Sequence, residues 1–552
     1  MKFRHYIILF LMGLAVIFIP AKIETVPGYM DAEYYYAGGL RLAGGHGFTE
    51  LFLWNYLDNP AGLPHPSHAY WMPLASLLAA FGIKILGTTN FLGGQLGFLL
   101  IAACLPVLTA ALSYSLNKRR DAALFSGLLA VFPAFYLPYL STTDTFGLYM
   151  LLGVIFMLVM GKLQRNVAQY LSFNRTQIVW TLSLGVLAGL MHLARADGIL
   201  WLFFAWVAII MLAVESRRVL SETETQFEGW ALKKGILSVV SRIFLCLAGY
   251  LLVMGPWIVR DLIVFGSPFS PGGLKALWVN NYDELFIYPG SLLTFSRWLS
   301  NGVGPILQAR SWALGQNLIS AIAVQGEIIL TPLILLGFWR LRRDLRVQIG
   351  FLAWVFTLAV MTVIFPFAGV RGGFFHSGAS LQPLFWSVVP AGLVQFVEWG
   401  RLVRKWDSKQ AQRVFGAGLV SLGILLSAFL TYNRVIGTEI TNPAWSQNAV
   451  RYEQVNRALS DLGASTGDVV MVNDPPGFFL ASDRPGISIP YGNLETLKSA
   501  AKRYDARYLL LEFNQLQGGD DLYNYPGDFS GLRYLSTVAD IRIYKILSSS
   551  SP

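Results

Sequence analysis

The feature that most constrains this chain is its series of long apolar runs. They lie at 5–20, 91–116, 122–140, 145–161, 177–193, 198–214, 236–258, 326–340, 348–366, 380–398 and 413–431. Each is long enough to cross ~30 Å of hydrocarbon as a helix. Only 13% of the 552 residues are charged, about half the proportion usual in soluble proteins. The sequence therefore predicts a mainly α, polytopic membrane helix bundle of about 11 spans.

The net charge of +10 lies largely in short basic clusters between the apolar runs, which indicates membrane topology rather than nucleic-acid binding. The clusters fall at 118–120, 162–175, 217–234, 340–346 and 401–409. All of them share the side of Lys2 and Arg4 if the run at 70–88, which contains Pro73 and Lys84, is interfacial or re-entrant and does not cross. We therefore expect an integral protein of the plasma or inner membrane with a cytoplasmic N-terminus and no nucleic-acid partner.

The chain divides into two predicted domains. Residues 1–431 form the transmembrane domain, with large outer loops at 21–90 and 259–325. Residues 432–552 carry charges throughout and have little continuous apolar sequence. In this part "DVVMVND" and "ARYLLLEF" are typical of buried strands, "AVRYEQVNRALSDLG" of an amphipathic helix and "LRYLSTVADIRIYKI" of a hairpin, whereas "NDPPGFF" predicts a turn. We expect a small extramembrane α/β domain on the outer face.

Three acids are candidates for chemistry at the outer face. Asp31 and Glu33 follow the first span in "GYMDAEYYYAGGLRLAGGHGFTE", and Asp144 precedes a later span in "YLSTTDTFGLY". They can be ordinary solvated loop residues. However, acids at the mouth of a helix bundle are costly unless they are paired or functional. Two carboxylates facing one cavity would suit a general base beside a group that orients the substrate or a metal.

Basic residues accumulate on the same predicted side. Arg195 and Asp197 interrupt the apolar stretch "MHLARADGILW", Arg260 lies in "GPWIVRDLIVFGSPF", and Arg371 and His376 lie in "FAGVRGGFFHSGASLQP". A packing ion pair between Arg195 and Asp197, or interfacial anchoring, are the ordinary interpretations. Alternatively, three arginines around an acidic loop would bind an anionic ligand, and a lipid with a phosphate headgroup fits that description.

Two histidines, His65 and His68 in "LPHPSHAY", lie near the acids in sequence. Structural or substrate hydrogen bonds and metal ligation both remain open, because no tight metal motif accompanies them. A divalent metal is therefore a possible cofactor, and no organic cofactor is expected.

Taken together, "MDAEYYYAGGLRLAGGHGF", the Pro-rich lead into "HPSHAYWMPLASLLAAFGIKILG", "LARADGILW" and "PWIVRDLIVFGSPF" resemble the GT-C superfamily of glycosyltransferases. Members of this superfamily use polyprenyl-phosphate sugars as donors, and they include protein mannosyltransferases and aminoarabinose transferases. The resemblance covers roughly residues 1–430. It implies an inverting transfer of a sugar from a lipid-phosphate donor to a lipid, glycan or protein acceptor at the outer face of the membrane.

The resemblance also implies roles for individual residues. Asp31 takes the place of the base, Asp144 that of a second acid of the site, and Arg195, Arg260 and Arg371 would bind the donor phosphate. The sequence departs from the pattern in separating its acids, Asp31 and Glu33, by Ala32.

Two other functions are compatible with such a chain. One is a transporter or flippase for lipid-linked saccharides, although transporters usually have inverted repeats and broken helices near the midplane. The other is a non-catalytic scaffold whose C-terminal domain binds glycans or partners. The acid retained in the first loop argues against the scaffold.

Overall fold

The computed structural model of the chain describes residues 2–165, 170, 174–221, 230–513 and 520–547. It confirms a mainly helical membrane protein with a small C-terminal sheet. The helices up to the middle of the chain are α1 (Phe3–Ile23), α2 (Met30–Ala43), α3 (Leu74–Leu86), α4 (Phe91–Asn117), α5 (Arg120–Val131), α6 (Leu137–Leu140), α7 (Thr145–Arg165), α8 (Arg175–Ala194), α9 (Leu200–Ser221) and α10 (Trp230–Phe265). The rest of the bundle contains α11 (Pro271–Lys275), α12 (Phe295–Ser300), α13 (Val303–Ser320), α14 (Thr331–Arg340), α15 (Leu345–Ala359), α16 (Pro366–Ala368), α17 (Phe374–Ala379), α18 (Gln382–Arg404) and α19 (Ser408–Thr431).

The apolar helices agree closely with the hydropathy pattern. Among the described residues, nine helices are long and apolar enough to cross a membrane. A tenth span results if the bent pair Pro366–Ala379 and Gln382–Arg404, which meet at 69°, is counted as one. Their buried faces form one apolar core that runs through the bundle.

The predicted span at 326–340 is the exception. Without it, the described residues contain at most ten spans where the sequence predicts about eleven. Its helix, α14, has only 10 residues. A full helix cannot form because Glu327 and Ile328 have φ values of 45° and 63°, which break the chain direction just before it. The run at 70–88 contains α3, whose 13 residues are too few to cross, in agreement with the sequence interpretation.

The C-terminal region has the predicted α/β elements. Its helices are α20 (Gln447–Asp461), α21 (Pro475–Ser482), α22 (Leu494–Tyr504) and α23 (Asp520–Asn524). The strands of the protein are β1 (Thr49–Glu50), β2 (Phe52–Leu53), β3 (His65–Pro66), β4 (Val469–Val472), β5 (Gly486–Ser488), β6 (Ala506–Leu511), β7 (Leu532–Val538) and β8 (Ile541–Ile546). The predicted hairpin is the antiparallel pair β7–β8. The turn predicted at 473–479 is wrong, because α21 begins within it.

One sheet joins the loop between α2 and α3 to the C-terminal region. Its strand order is β2-β5-β4-β6-β8-β7. β2 comes from the loop between α2 and α3 and pairs in parallel with β5, with Phe52 opposite Gly486. Leu53 and Tyr56 of the same loop belong to the apolar core of the C-terminal sheet. The segment that follows α2 is therefore fixed from both sides, by the bundle and by the C-terminal region.

α2, which carries Asp31, lies directly on α3. A Cβ at Gly38 would come within 2.7 Å of the Ser76 hydroxyl, and one at Gly39 equally close to the Ala79 methyl group. Glycine at these two positions lets the helix backbones approach closely. This contact fixes the position of α2 against the bundle.

Candidate active site

A cavity of about 530 Å³ lies where α2, α10, α11, α15 and α17 converge. Its lining has two chemically different parts. The aromatic wall consists of Tyr35, Trp54, Tyr70, Trp71 and Tyr282. The apolar wall includes Met254, Phe269, Leu274, Phe356, Val360 and Ile364. The charged residues Asp31, Arg195 and Arg371 also line the cavity, so its lining combines apolar, aromatic and charged side chains.

Of the three candidate acids Asp31, Glu33 and Asp144, Asp31 is the one that lines this cavity. It lies in the first turn of α2, and its side chain is 31% exposed. Burial and, to a smaller extent, the nearby Asp144 carboxylate raise the pKa of Asp31 to about 6, against the opposing effects of His376 and Arg195. A carboxylate whose pKa approaches neutrality is well suited to accept a proton during a reaction.

Asp144 lies behind Asp31, immediately before α7, with a side chain only 1% exposed. Its Oδ2 accepts a hydrogen bond from the Tyr29 hydroxyl at 2.5 Å and lies 3.0 Å from His376 Nε2. Burial raises the pKa of Asp144, but the His376 ring and these hydrogen bonds outweigh it and hold the pKa below its usual value. The pKa values of the two acids therefore differ in opposite directions from the usual value: Asp144 stays ionised, and Asp31 is free to exchange a proton.

His376 connects the two acids. Its Nδ1 lies 2.9 Å from the Gly372 carbonyl oxygen, which can only accept, so Nδ1 carries a proton. Its Nε2 is directed at Asp144 and lies 3.7 Å from Asp31 Oδ2. A neutral ring would direct a lone pair at two carboxylates if both were ionised. A proton or a cation between Nε2 and the carboxylate oxygens removes this repulsion.

These three side chains also form a potential metal site. One ligand atom from each of Asp31, Asp144 and His376 lies within 4.8 Å of the others. Metal-binding histidines commonly donate their other ring N–H to a backbone carbonyl, as Nδ1 does here toward Gly372. The donor set therefore fits a divalent cation.

Two of the three candidate arginines line the cavity. The Arg195 side chain is 15% exposed and forms an ion pair of 2.9 Å with Asp197, which also lines the cavity. The Arg371 guanidinium lies 4.7 Å from the ring centroid of Tyr282, which is another residue of the lining. Both arginines therefore line the same cavity as Asp31.

Arg260 is placed differently and is not among the residues that line the cavity. Its guanidinium donates to the Ser67 carbonyl oxygen at 2.7 Å and to Asp261 at 3.0 Å. It also packs on the Trp257 ring, 4.7 Å from the centroid. Arg260 therefore contacts two residues of the cavity lining, Trp257 and Asp261, without lining the cavity itself.

Three other candidates also lie away from the cavity. Glu33 is buried against Asp474 at the start of α21, and burial together with Asp474 raises its pKa well above the usual value. His65 Nε2 lies 2.9 Å from Glu50 within the loop between α2 and α3. His68 is fully buried and contacts the hydroxyls of Ser67 and Ser76 through its two ring nitrogens.

Sequence reasoning missed two residues that contact candidate acids. Tyr29 holds Asp144, and Asp474 adjoins Glu33. Asp474 carries a recognisable signal, because Asp followed by Pro475 and Pro476 is typical of a helix N-terminus, where the Asp side chain accepts the Gly477 N–H at 3.1 Å. Tyr29 has no such signal, since its partner is 115 residues away.

No protein-family model and no curated protein matches the sequence. Among solved structures, ArnT from Cupriavidus metallidurans bound to undecaprenyl phosphate is 12% identical over 100% of both chains, with a TM-score of 0.49. The oligosaccharyltransferase AglB from Archaeoglobus fulgidus, in complex with an inhibitory peptide and a dolichol-phosphate, is 11% identical over 90% of this chain and 69% of its own, with a TM-score of 0.46. Both are GT-C glycosyltransferases, the superfamily that the sequence motifs resemble. Identities and TM-scores this low carry no function over to this chain.

Proposed function

We propose that this protein is an inverting glycosyltransferase that moves a sugar from a polyprenyl-phosphate donor to an acceptor at the outer face of the membrane. The carrying observation is that Asp31, with a pKa raised to about 6, faces a cavity that also contains Arg195 and Arg371. The outer-face assignment rests on the basic clusters, which lie at the opposite ends of the apolar runs.

The apolar wall is suited to the polyprenyl chain of the donor. Ile199, Phe356 and Ile364 line the cavity and are 37%, 38% and 43% exposed, so the wall is open at these side chains. They belong to or adjoin helices that are apolar enough to lie in lipid. A lipid tail can therefore leave the cavity sideways while its phosphate stays beside the arginines.

The aromatic wall is suited to the sugar. Trp54 and Trp71 are stacked, with ring centroids 4.2 Å apart, and Tyr70 and Tyr282 add phenol hydroxyls to the lining. Aromatic faces pack against the C–H faces of a sugar ring, and hydroxyls bond to its rim. This wall adjoins Asp31, which would place the reacting carbon of the sugar next to the base.

In the proposed reaction Asp31 accepts the proton of the acceptor nucleophile as that nucleophile attacks the anomeric carbon. The bond from this carbon to the phosphate oxygen breaks, and the electron pair leaves with the lipid phosphate. Attack opposite the leaving group inverts the configuration. Arg195 and Arg371 stabilise the charge that develops on the phosphate.

A divalent cation held by Asp144, His376 and one oxygen of Asp31 would add positive charge beside the leaving phosphate and would leave the other Asp31 oxygen to accept the proton. We expect EDTA to lower the transfer rate at least about tenfold, and Mn²⁺ or Mg²⁺ to restore it. The measurement is the initial rate of purified protein in detergent before and after chelation. Full activity after EDTA would assign the positive charge at His376 to a proton instead.

The function is tested by reconstituting the purified protein in liposomes with radiolabelled polyprenyl-phosphate mannose or glucose. Membranes from cells lacking the gene supply acceptors. Transfer converts the acid-labile phosphate-linked label into a stable glycoside, which mild acid hydrolysis detects. Label that crosses the bilayer but stays phosphate-linked would show a transporter. Label that neither crosses the bilayer nor becomes a stable glycoside with any donor would refute the proposed transferase activity.

A further inference from the structure

The C-terminal region contacts the loop that precedes α2. Trp445 lies in the short helical turn Ala444–Ser446, before α20, and is 7% exposed. Its indole N–H donates to the Val26 carbonyl oxygen at 2.9 Å. Trp445 of the C-terminal region thus binds the backbone of the loop before α2, five residues before Asp31.

The contact between Trp445 and this loop is close. Gly28 has a φ of +86°, and a Cβ there would overlap the indole ring of Trp445. Tyr29, the next residue, packs edge-on against the same indole with ring centroids 5.7 Å apart. The backbone before α2 is therefore shaped around this one tryptophan.

Tyr29 transmits this contact to the site. Its hydroxyl donates to Asp144 Oδ2 at 2.5 Å, and the same oxygen lies 3.0 Å from His376 Nε2. Tyr139 borders the Tyr29 ring at a centroid distance of 5.6 Å. A shift of the indole would therefore move the Tyr29 hydroxyl and, with it, the hydrogen bonds that fix Asp144 beside Asp31.

We propose that Trp445 is a positioning residue for the transfer reaction. Through it the C-terminal region fixes the position of the Tyr29 ring, and thereby that of the Asp144–His376 pair. This inference rests on the proposed glycosyltransferase function. The C-terminal region also contacts α2 itself, since Asp474 at the N-terminus of α21 adjoins Glu33 of that helix. The C-terminal region is thus part of the catalytic geometry and not only an appended binding module.

The first test is a double-mutant cycle on transfer kinetics. Trp445→Phe keeps a ring but removes the N–H, and Tyr29→Phe removes the hydroxyl. We expect each to lower kcat about tenfold with little change in donor KM, because a small misplacement costs rate rather than binding. If Trp445 acts through Tyr29, the double variant is no slower than Tyr29→Phe alone. Losses that multiply would overturn the proposal.

A matched control and a second readout complete the design. Trp399→Phe changes an exposed tryptophan of α18, 52% exposed, and should leave kcat unchanged. 3-Fluorotyrosine at position 29 reports geometry without turnover: its ¹⁹F resonance should move in Trp445→Ala and in Asp144→Asn, but not in Trp399→Ala. An unmoved resonance in Trp445→Ala refutes the positioning role. Wild-type protein that transfers no sugar while the resonance responds refutes the function and leaves the positioning contact standing.

Discussion

Replacing Asp31 with asparagine is expected to lower sugar transfer about 10³-fold, the middle of the range that a general base contributes. Asparagine keeps the shape of the side chain but cannot accept the proton of the acceptor. The variant should fold normally, because the carboxylate is partly exposed to the cavity and its loss removes repulsion with Asp144. The rate is measured in liposomes with the radiolabelled donor, alongside thermal unfolding in detergent.

Two carboxyl-to-amide variants serve as comparisons. Asp505→Asn changes an acid whose side chain is 82% exposed, far from the cavity in the C-terminal region, and should leave the rate unchanged. Glu33→Gln changes the neighbour two residues from Asp31. Since Glu33 is absent from the cavity lining and is buried against Asp474, we expect most activity to remain. Equal loss in Asp31→Asn and Glu33→Gln would mean that the two acids share the role.

Much of the bundle could be predicted because membrane helices are encoded locally. An apolar run of sufficient length becomes a helix whatever its partners, so hydropathy alone located ten of the eleven expected spans. The prediction of a span at 326–340 was wrong because composition does not reveal the backbone break at Glu327 and Ile328. Apolar length is necessary for a span, but the local φ values decide whether the helix is continuous.

The C-terminal elements were also predictable from period and turn chemistry, whereas their partner in the sheet was not. β2 has only two residues and pairs with β5, more than 400 residues later in the chain. No local pattern marks so short a strand, since its pairing depends on the whole fold. For the same reason the contacts of Trp445 and Asp474 with the first loop had no signal of partner identity in the sequence.

Within the site, the position of a residue along the chain indicated which end of the bundle it occupies but not which way its side chain points. Arg195, Arg260 and Arg371 all follow or end apolar runs, and the sequence treats them alike. Only the tertiary contacts separate them, since Arg260 is held by Ser67 and Asp261 behind the wall. Side-chain direction is therefore the part of the site that sequence reasoning cannot supply.

This difference among the arginines leads to the second large effect. Arg195→Met is expected to raise the Kd for a short-chain polyprenyl phosphate about 10- to 100-fold, because a hydrogen bond to a charged group contributes about 1.5–3 kcal/mol. Arg195→Lys should lose less, since it keeps the charge but not the planar fork. Isothermal titration in detergent measures the affinity.

Because Arg195 pairs with Asp197, its removal alone leaves that carboxylate uncompensated. The charge-balanced variant Arg195→Met with Asp197→Asn separates the two effects, and it should bind the lipid phosphate as weakly as Arg195→Met. Arg342→Met, which alters an exposed arginine at the end of α14, is the matched control and should bind normally. Arg260→Met should also bind within about twofold of wild type, because Arg260 is not among the residues that line the cavity and its guanidinium is bound to Ser67 and Asp261. A large loss at Arg260 with none at Arg195 would place the phosphate on the other side of Trp257 and reverse the assignment.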